Sequence, residues 1–361
     1  MKLGDVAKII NGKNQKAVED SNGKYPICGS GGIMGYATDY LCPENSVIVG
    51  RKGNINRPIF MTQKFWNVDT AFGISANTEC MVPKFLFYFC QIYDFQKLNK
   101  AVTIPSLVKS DLLKIELPVP SKETQLGIVK ELDSINDSIA MLQQQVFDLD
   151  KLAQSIFYDL FGDPILNEKG WTTKIISEIA TVKTGPFGSM LHKEDYISGG
   201  IPLVNPIHMR GYRICPDIDF TVTNEKAKEL SNYLLETGDI VLARRGDIGR
   251  CAVVNNKEDG YLCGTGSLFV RFSESIESKF IMYVVKTKSF TDALIKSAKG
   301  ATMLNLNSNV VGNLRLILPP FSLQQSFASQ ITDIENLKAI FDAQIAELKS
   351  LLAARMQYWF D

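Results

Sequence analysis

Two short segments of this chain carry the side chains best suited to bind something. Arg51-Lys52-Gly53-Asn54 follows the apolar run Val47-Ile48-Val49, and Arg244-Arg245-Gly246-Asp247 follows Ile240-Val241-Leu242. A buried strand that ends in a basic glycine turn holds Arg and Lys on a rigid base, where guanidinium forks can make charge-assisted hydrogen bonds to phosphate or carboxylate. Arg57 and Arg250 extend the two turns. The chemistry so presented is recognition, and each of these residues could equally be a surface charge or half of a salt bridge.

A catalytic reading finds no support. The chain has no asparagine-proline-proline-aromatic tetrad, since Asn205-Pro206 continues as Ile207-His208, and no glycine motif placed to hold S-adenosylmethionine. It has no phosphate-binding loop of the motor ATPases. Pro216-Asp217 and Glu277-Ser278-Lys279 lie too far apart in the chain to read as a nuclease acid pair. Only two histidines occur, His192 and His208, in dissimilar surroundings, which leaves a histidine-activated nucleophile unsupported. Seven cysteines without a C-x-x-C pair argue against zinc and for reduced, buried thiols. With 39 basic and 39 acidic residues in 361, a nucleic-acid partner would have to be met by local basic patches. No run of membrane length and no signal-peptide pattern is present, so a cytoplasmic protein is expected.

The elements that would position the basic turns are two long helices. Ile128, Leu132, Ile135, Ile139, Leu142, Val146, Leu149, Leu152 and Ile156 form a heptad seam, and Phe327, Ile331, Ile334, Leu337, Phe341, Ile345, Leu348 and Leu352 repeat it near the end of the chain. A helix of about 35 residues spans roughly 50 Å. Matching seams favour an intramolecular antiparallel pair over packing on a neighbouring domain or a second chain. Between them, short strands and glycine turns are expected. Ser46 to Gly50 reads as a buried strand, Phe85 to Phe95 as a buried aromatic helix, and Leu112 to Val119 as a last strand. The stretch Tyr25 to Tyr36 is read as too glycine-rich for regular structure.

The two halves repeat. Val47 to Ile55 matches Ile240 to Ile248 at an offset of 193, Lys84 to Tyr88 matches Lys279 to Tyr283 at 195, and Thr103, Leu107, Gln125 and Phe161 match Thr302, Leu306, Gln324 and Phe360 at 199. Near the start the offset is only 173, so the second domain departs most there. Its own features are Lys183 to Ser189 and Pro202 to Arg213, with Asn205, His208, Arg210 and Arg213. Two related domains with different binding surfaces, held at fixed separation, suit a split asymmetric DNA site. Phosphate contacts would set the register and a few forked contacts would choose bases.

The sequence resembles the specificity subunits of Type I restriction-modification systems along essentially its whole length. The resemblance rests on Tyr25 to Tyr36, on Gly185 to Ser189 with Asp195-Tyr196 and Gly200 to Pro202, on the two basic turns, and on the helix entries Leu117 to Gln125 and Leu318 to Gln324. It implies an α+β protein of two related α/β target-recognition domains separated by two long antiparallel coiled-coil helices, pseudo-twofold symmetric. The expected boundaries are 1–120 and 164–319 for the domains, and 121–163 and 320–361 for the helices. It implies a non-catalytic subunit that binds double-stranded DNA and docks two DNA adenine methyltransferase subunits, with restriction and translocase subunits joining them. S-adenosylmethionine would then belong to the methylating partner, leaving this chain without a cofactor.

On that resemblance the leading DNA contacts are Arg51, Lys52, Arg57, Arg244, Arg245 and Arg250. Gly31, Asn54, Thr103, Ser106, Lys183, Ser189, Asn205, Arg210, Thr302 and Asn305 join them, and Gln125, Ile128, Gln324 and Phe327 are expected at the docking surface. Phe187 is expected in the core, with a wedge against DNA as the alternative. Two other classes stay open: an enzyme too divergent for its motif to be read, and a coiled-coil adaptor without a DNA role.

Overall fold

The computed structural model describes residues 1–100, 104–298 and 305–360. The chain forms two compact units, one of Met1–Gln145 with Phe341–Asp361 and one of Val146–Ile340. Each unit therefore contains part of both long helices, Lys122–Phe161 and Phe321–Phe360.

In the first unit an antiparallel sheet runs in the order Ala7–Asn11, Ala71–Ala76, Ser46–Gly50, Ile59–Met61. Ser46–Gly50 is buried at every residue, which is why its sequence is an unbroken apolar run rather than an alternating one. A smaller sheet joins Gly32–Ala37, Tyr25–Gly29 and Trp66–Asn67, the last parallel to its neighbour. The helix Pro83–Ile92 begins with proline at its first turn, where no amide hydrogen is missed, and buries Phe85, Leu86, Tyr88 and Phe89. Ile128 and Leu132 from the start of the first long helix share this core with Met356 and Phe360 from the end of the second. Arg355 pairs with Glu131 across the two helices, and Trp359 Nε1 donates to the same carboxylate at 3.2 Å.

The second unit repeats the plan. Its sheet runs Cys251–Val253, Ile240–Ala243, Ser267–Phe272, Ala180–Thr184, and its small sheet joins Thr221–Val222, Ile201–Val204 and Leu262–Cys263, again with the last strand parallel. Phe157 and Phe161, at the end of the first long helix, meet Phe327, at the start of the second, with ring centroids 5.7 and 5.3 Å apart. Lys338 reaches Asp150 at 2.5 Å further along, so the pair runs antiparallel here.

Three expectations are corrected. The glycine-rich stretch after Tyr25 is a hairpin, with Gly29 paired to Gly32 around the two-residue turn Ser30-Gly31. Gly32 sits at φ +115°, a conformation that suits glycine, and buried Ile27 and Cys28 hold the strand in place. No strand forms over Leu112 to Val119. Lys109–Leu112 is one helical turn, and the only pairing that follows is the bridge from Glu116 to Lys2. The second unit does form the equivalent strand, Arg315–Ile317, because Thr173–Ile175 gives it a full partner. The first helix's seam also shifts. Ile128 to Ile139 are buried as expected, but Leu152 is 49% exposed and the buried line passes to Ala153, Phe157 and Phe161. A straight helix drifts about 20° per heptad away from a strict seven-residue stripe.

Two glycines hold the sheets' turn ends closed. A Cβ on Gly12 would lie 1.8 Å from the Val68 carbonyl oxygen, and one on Gly185 would lie 2.0 Å from that of Gly264. Backbone cannot yield as a side chain does. Gly185→Ala is expected to lose stability at or above the upper end of about 1–3 kcal/mol, read as a fall in the urea midpoint of the unfolding transition.

Candidate nucleic-acid interface

The two basic turns are built by the same hydrogen bonds. Arg51 N donates to Thr70 O at 2.8 Å and Leu107 N to Arg51 O at 2.9 Å. In the second unit Arg244 N donates to Gly266 O at 3.0 Å and Leu306 N to Arg244 O at 2.9 Å. Gly53 and Gly246 sit at φ +78° and +76°, and in each turn the carbonyl oxygen of that glycine accepts from the amide two residues on, Ile55 or Ile248. Isolated bridges join Lys52 to Ser106 and Arg245 to Asn305. Each turn is thus braced by the loop that follows the domain's helices. Thr103 and Thr302 of those loops lie outside the described residues.

Other expected contacts gather at the same ends of the sheets. The Ser30-Gly31 tip approaches Gly50, where a Cβ would lie 3.0 Å from that of Ser30, and a Cβ on Gly31 would meet open space. Asn54 and Arg57 are exposed. In the second unit Asn205 Oδ1 accepts from Gly266 N at 3.1 Å, which sets Asn205 beside Arg244. Ser189 and Arg210 are exposed, and Lys183 Nζ is 3.4 Å from Asn232 O.

Partner geometry sorts the cations. Among the described residues Arg51, Lys52, Arg57, Arg210, Arg213 and Arg245 make no ion pair. Arg250 is engaged: Nε and Nη2 donate to Asp247 Oδ2 at 3.0 and 2.8 Å, and Nη1 donates to Pro206 O at 3.0 Å. Arg244 uses Nε on Asn305 Oδ1 and Leu306 O at 3.0 and 3.1 Å, leaving its terminal nitrogens. Burial and then the adjacent Arg245 charge lower the Arg244 pKa, a tension that an anion would relieve.

Four side chains expected at a docking surface face inward. Gln125 is fully buried, with Oε1 accepting from Val82 N at 2.8 Å and Nε2 donating to Cys80 O and Pro120 O, both at 2.9 Å. Gln324 does the same for the second unit, accepting from Glu277 N at 3.1 Å and donating to Pro319 O at 2.8 Å. Each glutamine ties a long helix to the start of its domain's aromatic helix. Ile128 and Phe327 are core residues at 3% and 0% exposure. A partner would instead meet exposed apolar residues such as Leu126 and Met141 in the first unit, and Phe321 and Ile340 in the second. Phe187, expected in the core, is 61% exposed. It lies between Gly185, pinned against Gly264, and Gly188, so its loop has no room to fold it inward.

His208 is buried, and its Nδ1 accepts from Asn205 N at 3.2 Å. Burial lowers its pKa and keeps the ring neutral, so it supports the Asn205 turn. Sequence reasoning missed Lys286. Its ammonium lies 3.9 Å from the ring centroid of Tyr212 and 4.1 Å from that of Tyr283. Burial brings its pKa to about 8, with Cys251, Glu335 and Asp150 pulling upward and Lys338 downward. The folded pKa lies below the unfolded value of 10.5, so the wild type gains stability as pH rises through about 8 toward 10.5. Lys286→Met removes that gain. The melting temperature of the wild type relative to the variant is expected to climb between about pH 7 and about pH 9.5.

Fold and site together define a duplicated nucleic-acid-recognition protein, in which one turn architecture is built twice on helical supports. Residues 1–146 and 168–350 match the family model described as the Type I restriction modification DNA specificity domain. The chain is 21% identical over 367 residues to the Type I restriction enzyme MjaVIII specificity subunit of Methanocaldococcus jannaschii, covering 93% of this chain and 86% of that protein. It is 24% identical over 338 residues to the MjaIX specificity subunit of the same organism, covering 86% and 76%. Its fold is similar to the crystal structure of the S subunit of a Type I restriction-modification system from M. genitalium, with TM-score 0.62 and 17% identity over 100% of this chain and 95% of that one. A chain from a study of complex assembly and conformational transition in the type I system gives TM-score 0.61 at 16% identity, over 99% and 96%.

The chain belongs to the Type I restriction-modification DNA specificity family. It is a DNA-sequence-recognition component of a restriction-modification complex, not itself a catalyst. Among the described residues no helix is long and apolar enough to cross a membrane.

Proposed function

We propose that each target-recognition domain, residues 1–120 and 164–319, reads one half of a split asymmetric DNA site, while the helices of 121–163 and 320–361 set the spacing. The observation that carries this reading is the duplicated basic turn with unpaired cations, Arg51 and Lys52 in one unit and Arg245 in the other. Two like modules at a fixed separation suit a target whose grooves recur at a fixed interval. Arg51, Lys52, Arg57, Arg244 and Arg245 contact DNA, with Gly31, Asn54, Ser106, Lys183, Ser189, Asn205, Arg210 and Asn305 around them. Arg250 positions the turn through Asp247. The long helices dock two adenine-methylating subunits on their exposed apolar residues, and restriction and translocase subunits join that assembly. S-adenosylmethionine is held by the methylating partner.

The test is a map of adenine methylation in cells expressing the cognate methylating subunit with and without this chain. A two-part motif that appears only with the chain supports the reading. Methylation that ignores the chain sinks it.

A further inference from the structure

The small sheets of the two units superpose strand for strand until one connection. In the first unit Tyr25–Gly29 turns into Gly32–Ala37 through Ser30-Gly31 alone. In the second, Ile201–Val204 reaches its antiparallel partner Thr221–Val222 only after residues 205–220. Within that insertion Met209–Arg210 and Arg213–Ile214 form a two-stranded ribbon. The insertion stands against the repeated basic turn, since Asn205 Oδ1 accepts from Gly266 N and Arg250 Nη1 donates to Pro206 O. A cleft of about 470 Å³ separates the ribbon from the Asp247 to Cys251 turn.

The ribbon carries two features that its own fold does not need. Arg210 and Arg213 are directly opposite each other across the strands, and both are exposed without an ion pair. Facing like charges destabilise a strand pair. Its tip, Gly211 and Tyr212, sits at φ +56° and +65°. Positive φ at both central positions suits a tight hairpin but is ordinarily met by Gly, Asn or Asp, so tyrosine is strained there. The strained ring is held on Lys286 Nζ at 3.9 Å, which fixes the tip to the end of the helix Ser278–Lys286. The result is a rigid ribbon that presents two adjacent guanidinium forks beside the basic turn.

We propose that this ribbon is the base-reading element of the second domain, with Arg210 and Arg213 each forking onto the O6 and N7 of a guanine in the major groove. The groove, about 12 Å wide, admits a two-stranded ribbon, and the arginine fork matches guanine's two acceptors. The inference rests on the reading that each domain reads one half-site. It also accounts for the difference between the units. The first unit's hairpin exposes Ile33, Met34 and Tyr36 and carries no arginine, so it cannot read guanine in this way.

The experiment compares methylation maps for the full complex carrying wild-type chain, Arg210→Ala, Arg213→Ala and Arg210→Lys, with thermal melting to verify folding. Each variant is expected to relax one guanine position of a single half-site, with discrimination there falling roughly 10- to 100-fold and the other half-site unchanged. Lysine cannot fork, so Arg210→Lys should relax the same position as Arg210→Ala. A uniform loss of methylation with no relaxed position marks the arginines as phosphate contacts and overturns the inference. A split wild-type motif that folded variants leave intact overturns the ribbon alone. A wild-type map without a chain-dependent motif overturns the half-site reading and this inference with it.

Discussion

Phe327→Ala is expected to cost about 3–5 kcal/mol of stability, the range for deleting a fully buried aromatic ring. Phe327 is 0% exposed, and its ring centroid lies 5.7 Å from Phe157, 5.3 Å from Phe161 and 5.1 Å from Tyr283. Those rings come from the end of the first long helix and from the helix Ser278–Lys286. Removing the Phe327 ring opens a cavity at the point where both helices meet their domain, and rigid neighbouring rings cannot collapse to fill it. Denaturant titration followed by tryptophan fluorescence reads the effect. A loss under about 1 kcal/mol would mean that the joint is not the support described.

Arg51→Ala, Lys52→Ala and Arg245→Ala combined are expected to weaken duplex binding by the assembled complex at least about 100-fold and to lower the salt slope by about three units. Each side chain lacks an ion pair among the described residues, so its charge is available to DNA. Arg250→Ala is the contrast. Its guanidinium is already shared by Asp247 and Pro206, so its loss should leave the salt slope nearly unchanged. Affinity for a duplex of the mapped motif, titrated over a range of salt concentrations, separates the two. Equal slopes in the triple variant and the wild type would remove the turns from the interface.

Much of this organisation can be read in the sequence because repetition leaves a record. The match of Val47 to Ile55 with Ile240 to Ile248 identifies two turns that share hydrogen bonds and a positive-φ glycine. The aromatic helix and the helical struts are legible for a similar reason, since apolar periodicity reports the face that is buried. Residue roles are harder to read, because they depend on what comes near in space. Gln125 and Gln324 look like docking residues on a polar helix face, yet each is buried among backbone groups that only the folded chain assembles. Arg244, Arg245 and Arg250 are alike in sequence and differ only in what their nitrogens meet. The hairpin at Ser30-Gly31 was hidden by its glycines, which satisfy a tight turn there rather than prevent a strand. The cation between Tyr212 and Tyr283 left no local signal, because Lys286 and Tyr212 are far apart in the chain.

The most direct test of modular recognition is a methylation map made with residues 171 to 315 exchanged for the matching domain of another specificity subunit. The account predicts a split motif in which one half changes to that of the donor while the other half stays the same. A motif altered in both halves, or in neither, would contradict it.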